Sequence, residues 1–387
     1  MYNSINMIYP DYEHSIVNLT SSILKAFNID SPYSSLKELD SLKQYKNIIL
    51  LLVDGLGYEY IQKYGQNSEL NKHCLTKITS VFPSTTASAT TALETGVAPQ
   101  QHGITGWFMF LKEIGVLAKI LPFKSRYGGQ NFTNDNIHRK DIFTEKRIVD
   151  KIKSPAFIIY PSHIIDGKVN KESKSLLSYK NLNSLFLQIK KTVKSSNRRK
   201  YIYAYWDKFD SYCHDYGCTS QKAYNHFWQL DKKISSLSKS LKGTNTALIV
   251  TADHGLIDTT EESKIILLQN HPKLTETLTM PLSGEPRVAY CYVHPQKTQQ
   301  FEDYIKNNLD YCCEVYKSID LLDKGVFGLF EANKNLIDRI GDYVLVMKEN
   351  YIIKDFLLTE KNECHIGNHG GTSKEEMYVP LIKFDFN

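Results

Sequence analysis

"NIILLLV", residues 47–53, carries no charge, is apolar from its second residue onward, and stops at Asp54 and Gly55. A short apolar run without polar alternation, closed by turn residues, reads as a strand buried on both faces, as in parallel sheets. The runs "LTKITSVF" (75–82), "AFIIY" (156–160), "YIYAYW" (201–206) and "ALIVTA" (247–252) repeat the signal. Helical patterns occupy 180–195 and 219–241, and a further helix is expected to end near Thr95, with Gly96 as its stop. Strands alternating with helices predict an α/β fold with a mostly parallel sheet and helices on both faces.

The texture changes after about residue 258. "RVAYCYV" (287–293), a helical pattern at 296–309 and "DYVLVM" (342–347) predict a smaller α+β lobe over 258–350. That lobe is read as an insertion into one catalytic domain spanning 1–387, a length that allows a sizeable core. Composition is that of an ordinary globular chain, 42% hydrophobic and 23% charged. A net charge of +5 on 387 residues is too small for a nucleic-acid footprint, so no polymer partner is expected. No apolar run approaches the roughly 18 residues of a membrane helix. No signal peptide is legible either, so a cytoplasmic location is the default expectation. The seven cysteines are scattered without a CxxC pair, which suggests neither a disulfide framework nor a thiolate zinc site.

In parallel sheets, ligands bind beyond the carboxyl ends of the strands. Asp54 follows the first run, and "PSTTASATT" follows the second, with six hydroxyls between Ser84 and Thr91. "DKFDSYCHDYG" follows 201–206, and "DHG" follows 247–252. Asp210 and His214 are spaced to share one helix face, although the same spacing makes surface ion pairs. Asp253 and His254 can converge only if their strand ends there, as Gly255 allows. Near the end of the chain, "HIGNHGG" offers His369 before two glycines, and His365 as a weaker candidate. Carboxylates and imidazoles without cysteine suit Zn²⁺ or Mn²⁺.

Taken in order, Asp54 after a strand, "FPSTT", "DSYCH", "TADHG" and "HGG" resemble the alkaline phosphatase superfamily. The match is to its type I phosphodiesterase/nucleotide pyrophosphatase family, and it runs over residues 47–371. The resemblance implies a three-layer sandwich and a two-zinc site, with Mn²⁺ as an alternative metal. It also implies a small-molecule phosphate ester as substrate and Thr86 as the nucleophile that forms a phospho-threonine intermediate. One metal would take Asp54, Thr86, Asp253 and His254, and the other Asp210, His214 and His369. His102 in "QHGITG" also fits the pattern and is read as structural.

There is one departure. Many nucleotide pyrophosphatases carry an Asn three residues after the nucleophile, and this chain has Ala89. The phosphoryl oxygen then needs another donor, for which a backbone N–H at the helix start is the candidate. The aromatics of 103–129, Trp107, Phe108 and Phe110 among them, suit either a substrate pocket or ordinary packing, and Lys208 is a candidate phosphate contact. Alternatives within the superfamily are a phosphomonoesterase, a phosphonate hydrolase or a phosphomutase. An inactive, metal-stabilised binding module is the alternative of another class. A sulfatase is excluded, because its C/S-x-P-x-R setting is missing.

Overall fold

The computed structural model describes residues 7–168, 176–358 and 360–387. Its first sheet contains β1 (Asn47–Val53), β2 (Cys74–Thr79), β6 (Ala156–Pro161), β7 (Leu176–Tyr179), β8 (Lys200–Trp206), β9 (Thr246–Thr251) and β18 (Tyr378–Phe386). The order across the sheet is β2-β18-β9-β1-β8-β6-β7. All seven residues of β1 are buried, and β8 and β9 flank it in parallel register, with Val53 opposite Trp206 and Leu52 opposite Thr251. β6 and β7 continue the parallel run, whereas β18 is antiparallel to both β9 and β2. With its covering helices the sheet makes the expected three-layer α/β sandwich. Helix Ile16–Ala26 packs against Thr86–Thr95, and the long helix Gln221–Leu241 packs against Leu182–Lys194 and Lys208–Tyr216.

A second seven-stranded sheet is antiparallel throughout. It runs β14 (Cys313–Lys317), β15 (Tyr343–Met347), β13 (Val288–Cys291), β12 (Ser283–Gly284), β3 (Phe108–Leu111), β4 (Val116–Lys119) and β5 (Lys124–Ser125). It therefore joins strands from the 258–350 segment to three strands of the aromatic-rich 103–129 stretch. Two ribbons complete the set among the described residues. β10 (Ile257–Asp258) pairs with β17 (Gly367–Asn368), and β11 (Ile265–Leu267) pairs with β16 (Ile352–Lys354).

A bidentate ion pair joins the two sheets. The Arg287 guanidinium, just before β13, meets the Glu376 carboxylate, just before β18, at 2.9 and 3.0 Å, with both side chains buried. Within the first-sheet side, Ser84 donates to the Gly371 carbonyl at 2.7 Å. The Ser84 bond holds the loop ahead of helix Thr86–Thr95 against the segment that follows β17.

Candidate active site

Each of the first-sheet runs that ends in a polar residue delivers it to one edge. Asp54 follows β1, and Asp253 and His254 follow β9, where the strand breaks at Gly255. A Cβ on Gly255 would lie 2.0 Å from the Glu375 carbonyl, so only glycine permits this approach. Helix Lys208–Tyr216 follows β8 and carries Asp210 and His214, whose Nε2 and Oδ2 are 3.2 Å apart. Helix Thr86–Thr95 puts Thr86 in its first turn, and His369 follows β17.

The structure brings these seven residues into two adjoining groups. Ligand atoms of Asp54, Asp253 and His254 lie within 4.8 Å of one another, as do those of Asp210, His254 and His369. Thr86 Oγ1 is 3.0 Å from His254 Nε2. His214 joins the second group through Asp210, and its ring centroid is 5.1 Å from that of His369. Imidazoles are aimed by their far nitrogens. His254 Nδ1 bonds the Gly255 carbonyl at 3.0 Å, and His214 Nδ1 bonds the Gly367 carbonyl at 2.7 Å. With Nδ1–H donating to a carbonyl, each ring in its neutral form keeps the Nε2 lone pair for the site. An imidazole has one such pair, so His254 can serve only one cation.

The electrostatics show a site short of positive charge. Burial, then the neighbouring Asp253 and Asp210, push the Asp54 carboxyl up, and burial also raises Asp253. Burial opposes ionisation of Asp210 too, but the adjacent His214 holds its carboxyl well below the usual range. Burial works against a charged His214 as well, yet Asp210 carries it up to about 9. Burial, then the nearby His254, pushes His369 down. One oxygen each of Asp54, Asp210 and Asp253, together with His369 Nδ1, is buried without a hydrogen-bond partner. Buried polar atoms left unpaired cost free energy. Four of them converging from carboxylates and imidazoles fit divalent cations of the zinc or manganese type.

Other expected residues fall outside this cluster or at its rim. His102 is buried, accepts from the Ile104 N–H at 3.1 Å, and is pushed down to about 3 by burial, consistent with a structural role. His365 is exposed, its ring 4.4 Å from that of His214. Lys208 turns to Asp207, at 3.5 Å. Two residues that touch the site gave no signal in the sequence. The Tyr205 hydroxyl donates to the Asp54 carboxylate from within β8, where it read as one more strand aromatic. Glu285 accepts from Thr85 Oγ1 at 2.5 Å and from the Trp107 N–H at 2.7 Å, and burial lifts it to about 7.

The family model for type I phosphodiesterase/nucleotide pyrophosphatase matches residues 48–372. Murine ectonucleotide pyrophosphatase/phosphodiesterase 5 superposes with a TM-score of 0.65 at 19% identity, covering 86% of this chain and 87% of that one. The human counterpart gives 0.64 at 19% identity, with 87% of each chain covered. Phosphonoacetate hydrolase from Sinorhizobium meliloti gives 0.61 at 17% identity, covering 88% and 90%. No curated protein matches the sequence. Among the described residues no helix is long and apolar enough to cross a membrane. The chain belongs to the type I phosphodiesterase/nucleotide pyrophosphatase family, and it is a metal-dependent phosphoric ester hydrolase of alkaline-phosphatase-like fold.

Proposed function

We propose that the enzyme hydrolyses phosphodiesters by attack of Thr86 on phosphorus, through a phospho-threonine intermediate, at a site holding two zinc ions. Asp54, Thr86, Asp253 and His254 would hold one ion, and Asp210, His214 and His369 the other. The observation that carries this reading is Thr86 Oγ1, set 3.0 Å from His254 Nε2 at the start of a helix and beside two buried carboxylates. Among the structural neighbours, an inactive threonine-to-alanine form of the murine enzyme was captured with AMP, which supports a threonine in this role.

When bound, the two cations supply positive charge that acidifies the Thr86 hydroxyl and offsets the charge of the phosphoryl group. Oγ1 attacks phosphorus, the bond to the leaving oxygen breaks, and water later cleaves the phospho-threonine, restoring the hydroxyl. The helix start supplies the donor that Ala89 does not. Thr85, at the N-cap, makes no capping bond with its side chain, because its hydroxyl is drawn away to Glu285. First-turn N–H groups therefore stay free to meet a phosphoryl oxygen, at the positive end of the helix dipole.

A diester suits the site better than a monoester. From Phe82 to Gly103 there is no Lys or Arg to meet a dianion, and Lys208 is paired with Asp207. Bis-p-nitrophenyl phosphate should therefore show a higher kcat/KM than p-nitrophenyl phosphate, and acid quench during turnover should trap phosphate on Thr86. Equal or faster turnover of the monoester would overturn the diesterase reading, and Lys208→Ala would show whether that lysine accounts for it.

A further inference from the structure

A cavity of about 320 Å³ opens beside the candidate active site, between β3, β12 and residues 353–356 and 360–365. It adjoins the reaction centre at two points. Glu285, which lines it, holds Thr85 next to the nucleophile, and His365, which also lines it, lies against His214. Phe108 and Phe356 supply aromatic wall.

The cations of this cavity differ in how their charge is met. Arg126 is buried, stacks on Phe108 at 4.1 Å, and spends its donors on Asp355 at 2.7 Å, Glu360 at 2.9 Å and the Leu282 carbonyl at 2.7 Å. Lys119 meets Glu360 at 3.3 Å. Lys354, at the end of β16, is half-buried, and no carboxylate among the described residues lies within 4 Å of its ammonium. Its contacts are the Glu363 carbonyl at 3.3 Å and the Phe356 ring at 5.5 Å. Burial pushes its pKa down, as expected for a cation whose lost hydration is not replaced. Glu285 does not pair with it either, and gives Oε1 to Thr85 and Trp107 instead. The cavity thus presents a positive charge with unused donors.

We propose that this cavity receives the second substituent of the ester, and that Lys354 recognises a carboxylate or phosphate group carried on it. An anion there replaces the missing acceptors with charge-assisted hydrogen bonds, while Phe108 and Phe356 flank the linking atoms. The proposal rests on the phosphoryl group sitting at Thr86. It names a substrate class, namely phosphoric esters with a second acidic group, which the reaction alone does not specify.

Binding separates this proposal from the catalytic one. Zinc-loaded protein would be titrated calorimetrically with alkylphosphonates, with ω-carboxyalkylphosphonates of two to five methylenes, and with the matching bisphosphonates. At the best chain length, at least one acidic series should bind about tenfold or more tighter than the matched alkylphosphonate. The carboxylate and bisphosphonate arms show which acid is preferred. In Lys354→Met the preference should collapse to within about twofold, and Lys354→Arg should restore most of it. Melting temperatures of both variants report whether the fold is kept, and should Lys354→Met not fold, Lys354→Gln takes its place. A preference that survives removal of the ammonium, or no preference in the wild-type protein at any length, overturns the assignment. A phosphonate that binds while no diester is hydrolysed would instead count against the proposed reaction.

Discussion

The two seven-stranded sheets use the same number of strands for different ends, and the difference follows from strand direction. In the first sheet β1, β8 and β9 run parallel, so their carboxyl ends lie on one edge. Asp54, Asp210 and Asp253 arrive there from three distant parts of the chain. The second sheet is antiparallel throughout, so successive strands deliver their ends to opposite edges and cannot gather ligands in that way. What it offers instead is a face and the loops around it, and the cavity with Lys354 lies there. As proposed, reaction chemistry maps onto the mostly parallel first sheet and recognition onto the antiparallel one.

The largest expected effect tests the first sheet. Thr86→Ala should lower kcat by about three or more orders of magnitude, since it deletes the proposed nucleophile. It should barely change the melting temperature, because Thr86 is half-buried and is not the residue capping the helix. A variant that keeps more than about a tenth of wild-type activity would move the nucleophile to Thr85.

Chelation comes next. Without cations, Asp54, Asp210 and Asp253 face one another in a buried site, so Tm should fall along with activity, and Zn²⁺ or Mn²⁺ should restore both. Hydrogen exchange should loosen at the ends of β1 and β9 while β13 and β15 stay protected. Equal loosening of both sheets would erase the division between them, and an active preparation free of transition metal would remove the two-zinc reading.

The joint between the sheets gives a third test. Arg287→Met leaves Glu376 charged and buried, which should cost about 3–5 kcal/mol of stability in urea unfolding. Zinc content per folded molecule should stay the same, because neither residue is a proposed ligand. A negligible loss would show that the sheets hold together without this pair.

The smallest effect is pH-dependent. Glu285 has a folded pKa near 7, above its ordinary value of 4.5, so between those values the folded state binds the extra proton. Stability from this group is therefore full below about pH 4.5 and declines as pH rises through 7. Glu285→Gln should flatten that decline, leaving the variant more stable than wild type at pH 8 by up to roughly 2–3 kcal/mol. No difference in the Tm–pH slope would show that the buried carboxyl carries no such cost.

Legibility in the sequence also divides between the sheets. β1, β8 and β9 announced themselves because strands buried on both faces must be apolar throughout, and the residues after them were readable for the same reason. β3, β4 and β5 are two to four residues long and half-buried, too short to show alternation. The pairing of β3 with β12, across more than 150 residues of chain, leaves no local trace. Tyr205 and Glu285 were missed for related reasons. One sits inside a strand that is aromatic anyway, and the other has meaning only through Thr85 and Trp107, which folding brings to it. β18 was not foreseen as a member of the first sheet, since nothing in "YVPLIKFDF" states which edge it will join.

That edge has a consequence for how the protein is made. β18 follows every other described element, yet it lies inside the first sheet between β9 and β2, pairing residues 382–386 with β9. On the ribosome, β9 has an open edge until those residues emerge, more than 100 positions later. An unpaired apolar edge is a template for other chains. Shortening the chain before Tyr378 should therefore yield aggregate rather than a soluble, metal-free enzyme, and nascent chains should need chaperone protection over that interval.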